Sequence, residues 1–203
     1  MDSKYNTLCQ TRSDINEHLP TLYAYARECE SIIELGVRGV ISSWALVKGL
    51  LDNGKDVKKI LLNDIEPCDI RELMEVTKGM GVHISHEWKN DLELDIQENV
   101  DLTFIDTWHV YAQLKRELEK FSKVTNKYII MHDTTVDEWH GETMRCFGGR
   151  AGAEKQSNET GFPVEEIMKG LWPAIEEFLE NNPEWKMKER FTNNNGLTIL
   201  ERT

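Results

Sequence analysis

The stretch Ser31-Ile32-Ile33-Glu34-Leu35-Gly36-Val37-Arg38-Gly39 decides the fold. Its β-branched opening reads as a buried strand, and its glycines turn the chain into a segment with helical spacing at Ile41, Trp44, Val47 and Leu51. The alternation then repeats. Buried strands are predicted at Lys59–Asn63, Val82–Ser85, Leu102–Ile105 and Lys127–Met131. Helical faces lie between them at Ile70, Leu73, Met74 and Thr77, and at Val110, Leu114, Leu118 and Phe121. Strand, helix, strand is the pattern of an α/β fold with a parallel, doubly wound sheet.

The tail follows a different rule. After Pro163 a helical stretch carries Ile167, Met168 and Leu171, and Pro173 fits the first turn of a second helix bearing Ile175, Phe178 and Leu179. Two strands, Trp185–Phe191 and Gly196–Glu201, are joined through Asn193-Asn194-Asn195-Gly196, residues that tolerate positive φ, and this predicts a C-terminal antiparallel hairpin closing the sheet. Residues 134–161 show weak periodicity, several glycines and many polar side chains, and they read as a long lid or substrate loop.

At 203 residues, 39% hydrophobic and 30% charged, the chain has enough apolar content for one domain over 1–203, its first 30 residues a helical segment. The net charge of −12 repels phosphate backbones and anionic lipid, so neither nucleic acid nor a membrane is an expected partner. No run approaches the ~20 apolar residues of a membrane span, and MDSKYNTLCQ lacks the apolar core of a signal peptide, which predicts a cytoplasmic protein. The four cysteines form no C-x-x-C pair, in keeping with a reducing compartment. A homo-oligomer is left open.

Gly36 and Gly39 let a ligand approach the backbone where a helix N-terminus, with Ser42 in its first turn, points amides at it; a purely structural turn is the alternative. A nicotinamide loop of the G-x-G-x-x-G kind would place a third glycine where Ser42 stands. Asp64 ends the second strand, positioned either to accept both ribose hydroxyls of an adenosine-containing ligand or to cap the following helix. Asp91 follows the third strand, within reach of an adenine edge.

The motifs E-L-G-V-R-G at 34–39, N-D at 63–64 and 90–91, and I-D-T-W-H at 105–109 resemble those of class I S-adenosylmethionine-dependent methyltransferases. S-D-I-N-E-H-L-P at 13–20, D-x-x-H at 106–109, H-D-T at 132–134, K-G-L-W-P-A-I-E-E-F-L at 169–179 and N-N-G-L-T-I-L-E-R at 194–202 are similar to the small group related to cephalosporin hydroxylases and macrolide-sugar O-methyltransferases. The resemblance implies a Rossmann-like sheet and S-adenosylmethionine held by Glu34, Gly36, Gly39, Ser42, Asp64 and Asp91. Similar small proteins of large algal viruses methylate glycan sugars; if that likeness extends to the source, the compartment is the host cytoplasm.

Asp106 and Asp133 end the fourth and fifth strands, and on adjacent parallel strands such ends lie about 5 Å apart. Carboxylates that close repel unless a cation neutralises them, and hard oxygen donors suit Mg²⁺ or Mn²⁺; two helix-capping aspartates are the bland alternative. The resemblance gives the pair the same role, metal ligation. For a third ligand there are two candidates: His132, which strand alternation turns from the face of Asp133, and Glu17, which an N-terminal motif could fold over the site. His109 lies one helical turn from Asp106 and titrates near neutrality when unperturbed; the resemblance makes it the base, whereas a polar helix cap is the plainer role. Trp108, Tyr111 and Trp139 could wall a sugar ring.

Together these readings predict a divalent-metal-assisted O-methyltransferase acting on a sugar or glycan hydroxyl, with Asp106 and His109 catalytic. A nicotinamide-dependent dehydrogenase and a non-catalytic adenosyl-binding module of the same fold are the rivals.

Overall fold

The computed structural model describes residues 1–203. Two helices, α1 (Asp2–Gln10) and α2 (Leu19–Ala26), precede β1 (Ser31–Leu35), α3 (Ile41–Leu51), β2 (Lys59–Asp64), α4 (Arg71–Thr77), β3 (His83–Trp88), β4 (Val100–Ile105), α5 (Tyr111–Phe121) and β5 (Thr125–His132). Then come α6 (Glu142–Cys146), α7 (Gly149–Thr160), α8 (Val164–Met168), α9 (Trp172–Asn181), β6 (Trp185–Phe191) and β7 (Leu197–Arg202). The seven strands form one sheet in the order β3-β2-β1-β4-β5-β7-β6. The first five run parallel; β7 is antiparallel to both β5 and β6. This is the doubly wound, Rossmann-like architecture that the alternation predicts, with its C-terminal hairpin in place.

Every residue of β1 is buried, because helices cover both faces. Alternation sends Ile32 and Phe104 toward Leu22, Trp44, Leu46 and Leu73, while Ile33, Leu35 and Ile105 meet Leu114, Leu118, Phe121, Ile175 and Phe178 on the opposite face. The two cores clamp the sheet, so the C-terminal ends of β1, β2, β4 and β5 are fixed along one edge.

Two connections at that edge have unusual backbones. Between β1 and α3, Gly36, Arg38 and Val40 all have positive φ, and a Cβ on Gly36 would lie 2.0 Å from the carbonyl oxygen of Asp106. Only glycine allows that approach. In the β6–β7 hairpin Asn194, Asn195 and Gly196 are left-handed, and the Asn195 carbonyl accepts the amides of Thr135 and Val136, docking the turn on the segment after β5.

Residues 134–161, expected as a loop, contain α6 and α7. Helix α7 is rich in helix-forming Ala, Glu, Lys and Gln but buries only Ala153, so it has no apolar stripe to reveal it. No helix in the chain is long and apolar enough to cross a membrane.

Candidate active site

A cavity of about 880 Å³ opens along the strand ends. One half is built from Gly36–Gly39, Ser42, Asn63–Ile65 and Asn90–Glu93, the other from Asp106–His109 and Glu142, with Glu159, Thr160 and Phe162 of the α7 end as its outer wall. Segment 134–161 therefore does border the site, through a helix terminus.

The predicted cofactor residues come together, with different tasks. Asp64 Oδ2 accepts the amides of Val37 and Arg38 at 2.9 and 2.8 Å, so this acid braces the glycine loop while facing the cavity. Glu34 lies beneath the floor, fully buried, and accepts the Ser42 hydroxyl; it does not line the cavity. Burial raises its carboxyl to about 8, against the pull of the Ser42 and Ser43 hydroxyls. Asp91 is buried at the cavity wall, where its Oδ1 accepts Gln113 Nε2 at 2.9 Å.

The other half is a nest of carboxylates around an imidazole. His109 Nε2 lies 3.1 Å from Asp106 Oδ1, and Nδ1 lies 3.1 Å from Asp133 Oδ2 and 2.8 Å from Glu142 Oε2. Asp137 Oδ2 is 3.5 Å from the same nitrogen, which makes no aligned hydrogen bond with any of them. Burial pulls the imidazole pKa down, but Asp106, Asp137, Glu142 and Asp133 outweigh it and raise the value well above the ordinary one. Asp106, although burial pushes it up, is held far below the usual carboxylate range by His109 and His132.

His132 corrects the alternation argument. Its Nδ1 lies 3.3 Å from Asp106 Oδ1 and 3.6 Å from Asp133 Oδ1, because Asp133 has a φ of 58° that breaks the pleat and lets consecutive side chains share one space. Glu17 is not brought in. It is exposed, tied to Asn193 and Asn194 of the hairpin turn, and the acids that do reach the nest are Asp137 and Glu142.

The donor set suits a hard divalent cation. Ligand atoms of Asp106, His109 and Asp133 lie within 4.8 Å of one another, and Asp133 Oδ1 is buried with no hydrogen-bond partner. Of the aromatic residues predicted to flank a sugar, only Trp108 lines the cavity, stacked on Phe162 at 6.3 Å and 13°. Tyr111 is buried against Glu177 and two lysines, and Trp139 is 54% exposed on the outer surface.

No protein-family model matches the chain, and no curated protein matches it in sequence. Solved structures do match. The N-methyltransferase NodS from Bradyrhizobium japonicum WM9 superposes with a TM-score of 0.62 at 15% identity, over 93% of this chain and 96% of that one. The O-methyltransferase TomG from Streptomyces achromogenes, involved in tomaymycin synthesis and solved in complex with SAM, gives 0.61 at 13% identity, over 100% and 91%. An O-methyltransferase from Bacillus cereus in complex with SAH gives 0.59 at 15% identity, over 100% and 92%. At these identities the likeness is one of fold.

Proposed function

We propose that the chain is an S-adenosylmethionine-dependent O-methyltransferase that uses Mg²⁺ or Mn²⁺ and acts on a hydroxyl of a sugar or glycan. One observation carries the reading: a single cavity joins the Gly36 loop, Asp64 and Asp91 to the Asp106–His109–Asp133 nest. The fold shared with NodS, TomG and the Bacillus cereus enzyme supports it. The antiparallel β7 between β5 and β6 departs from the 3-2-1-4-5-6 order of dinucleotide-binding folds and weighs against a nicotinamide enzyme.

S-adenosylmethionine supplies a methyl group made electrophilic by its sulfonium, and a divalent cation held by Asp106 and Asp133 supplies Lewis-acid stabilisation of negative charge on the acceptor oxygen. The protein supplies alignment and proton handling. The Gly36–Gly39 loop, braced by Asp64, fixes the donor; the Trp108–Phe162 stack offers an apolar face to a sugar ring. His109 takes the acceptor's proton at Nε2, the nitrogen facing Asp106. Asp106 and Asp133 raise the proton affinity of the ring together with Asp137 and Glu142, and a cation on the first two would lower it toward that of an ordinary imidazole.

The test is methyl transfer to a panel of neutral sugars. Activity should vanish with a chelator and return with Mg²⁺ or Mn²⁺, and Asp106→Asn or Asp133→Asn should abolish the response. His109→Ala should keep S-adenosylhomocysteine affinity and lose about 10²–10⁴-fold in turnover. Full turnover in metal-free protein would remove the cation from the reading.

A further inference from the structure

Below the adenosyl half lies a group of buried side chains that the proposed chemistry leaves unused. Glu117, on α5, is fully buried, and its Oε1 accepts Thr107 Oγ1 at 2.5 Å and Gln113 Nε2 at 3.0 Å. The same Gln113 nitrogen donates to Asp91 Oδ1, so one amide bridges two carboxyl groups. Glu117 Oε2 and Asp91 Oδ2 are left over, both buried and without a hydrogen-bond partner, while Gln113 Nε2, 3.0 Å from one carboxyl and 2.9 Å from the other, holds the two groups about a single amide nitrogen. No cation separates them. The Lys120 ammonium is engaged by the carbonyls of Asp91, Leu92 and Leu94 at 3.0, 2.8 and 2.6 Å, and the charges of Lys89, Glu93 and Asp95 bear on that ammonium. Two ionised carboxylates facing each other in a dry interior repel strongly, whereas one proton between them gives each orphan oxygen a partner.

We propose that Glu117 is a positioning residue for cofactor binding, sharing one proton with Asp91 and so holding the Asn90–Glu93 turn in the shape that receives the adenine edge. The inference rests on the S-adenosylmethionine reading. Asn90, Asp91, Leu92 and Glu93 line the cavity and Glu117 does not, so it acts through the lining residues it holds: Asp91 by way of Gln113, and Thr107. Burial, reinforced by the charge of Asp91, raises Glu117 well above the ordinary carboxyl range, and burial raises Asp91. The pair therefore holds its proton to higher pH than a free carboxyl does, and raising the pH removes it. Its loss sets the two charges against each other and drives the turn out of shape.

Calorimetric titration with S-adenosylhomocysteine at about pH 6.5 and about pH 9 tests this on wild type and Glu117→Gln, whose amide replaces the shared proton permanently. Wild type should lose roughly tenfold or more in affinity at the higher pH beyond the change seen in the variant, which keeps every other group that titrates in this range, Glu34 and the ligand's own amino group among them. Equal loss in both proteins, or none in either, overturns the proposal while leaving the cofactor reading intact. Absence of binding to wild type at both pH values removes the cofactor reading and the proposal together. A measurement without a variant guards against misfolding: adenosine has no group titrating in this range, and its binding to wild type near pH 9 should take up close to one proton, read from the dependence of the heat on buffer ionisation. Zero uptake overturns the proposal.

Discussion

Glu34 has no charge to offer a ligand at neutral pH, since burial raises its carboxyl to about 8. In the unfolded chain the same group releases its proton near the ordinary value of about 4.3, so between those limits the folded state binds more protons than the unfolded. Stability must then fall as pH rises from about 4.3 to about 8. Glu34→Gln, equal in shape and never charged, should flatten this slope and gain about 1–3 kcal/mol on wild type between pH 5 and pH 8.5 in denaturant unfolding. An unchanged slope would show that Glu34 is ionised in the fold. Single residues also show where sequence reading stops. Asp106, Asp133 and His109 were legible because strand ends in a doubly wound sheet converge on one edge. Glu142 and Asp137 were not, since they reach His109 through a segment without apolar periodicity. That His132 shares the face of Asp133 is not legible either, because a strand pattern does not announce the left-handed backbone at Asp133.

The β1–α3 connection shows how one turn serves two elements. Gly36 has a φ of 87°, and a Cβ there would collide with the Asp106 carbonyl, so the glycine loop that lines the cavity is packed directly on the strand end that carries Asp106. Gly36→Ala should destabilise the fold by about 2–5 kcal/mol, from left-handed strain plus a clash that only backbone movement relieves. Gly39 makes the internal comparison. Its φ is not positive and its added Cβ would meet Ile41 at 3.8 Å, an ordinary contact, so Gly39→Ala should cost less than about 1 kcal/mol. Denaturant unfolding of the two variants checks the difference, and equal stabilities would mean that the loop does not bear on β4. The strands and the helices that pack on them were visible as elements because both of their partners are apolar. Helix α7 escaped because its stability draws on helix-forming residues and i,i+4 pairs such as Lys155–Glu159, which carry no apolar period.

Charge acts on the molecule as a whole. The chain is at −12, and the cavity concentrates that sign: Asp64, Asp91, Glu93, Asp106, Glu142 and Glu159 line it, against Arg38, already paired with Asp14 at 2.5 Å, and His109, already enclosed by Asp106, Asp133 and Glu142. A divalent cation at Asp106 and Asp133 would still leave the other walls acidic. Such a field favours a cationic donor such as a sulfonium and opposes acceptors that carry phosphate, because no free basic side chain in the lining can offset the desolvation of an anion. A neutral hexoside should therefore be methylated with kcat/KM at least about tenfold above that of its 6-phosphate at low salt, a difference of about 1.4 kcal/mol in transition-state binding. Part of that difference comes from the long-range field, which screening at about 0.5 M salt reduces, and part from the unpaired anion inside the cavity, which screening barely touches. The ratio should thus shrink with salt but not reach one. Preference for the phosphorylated sugar at low salt would show that Arg38 leaves Asp14 to bind it, and Arg38→Gln, which should otherwise leave the ratio unchanged, would then reverse the preference.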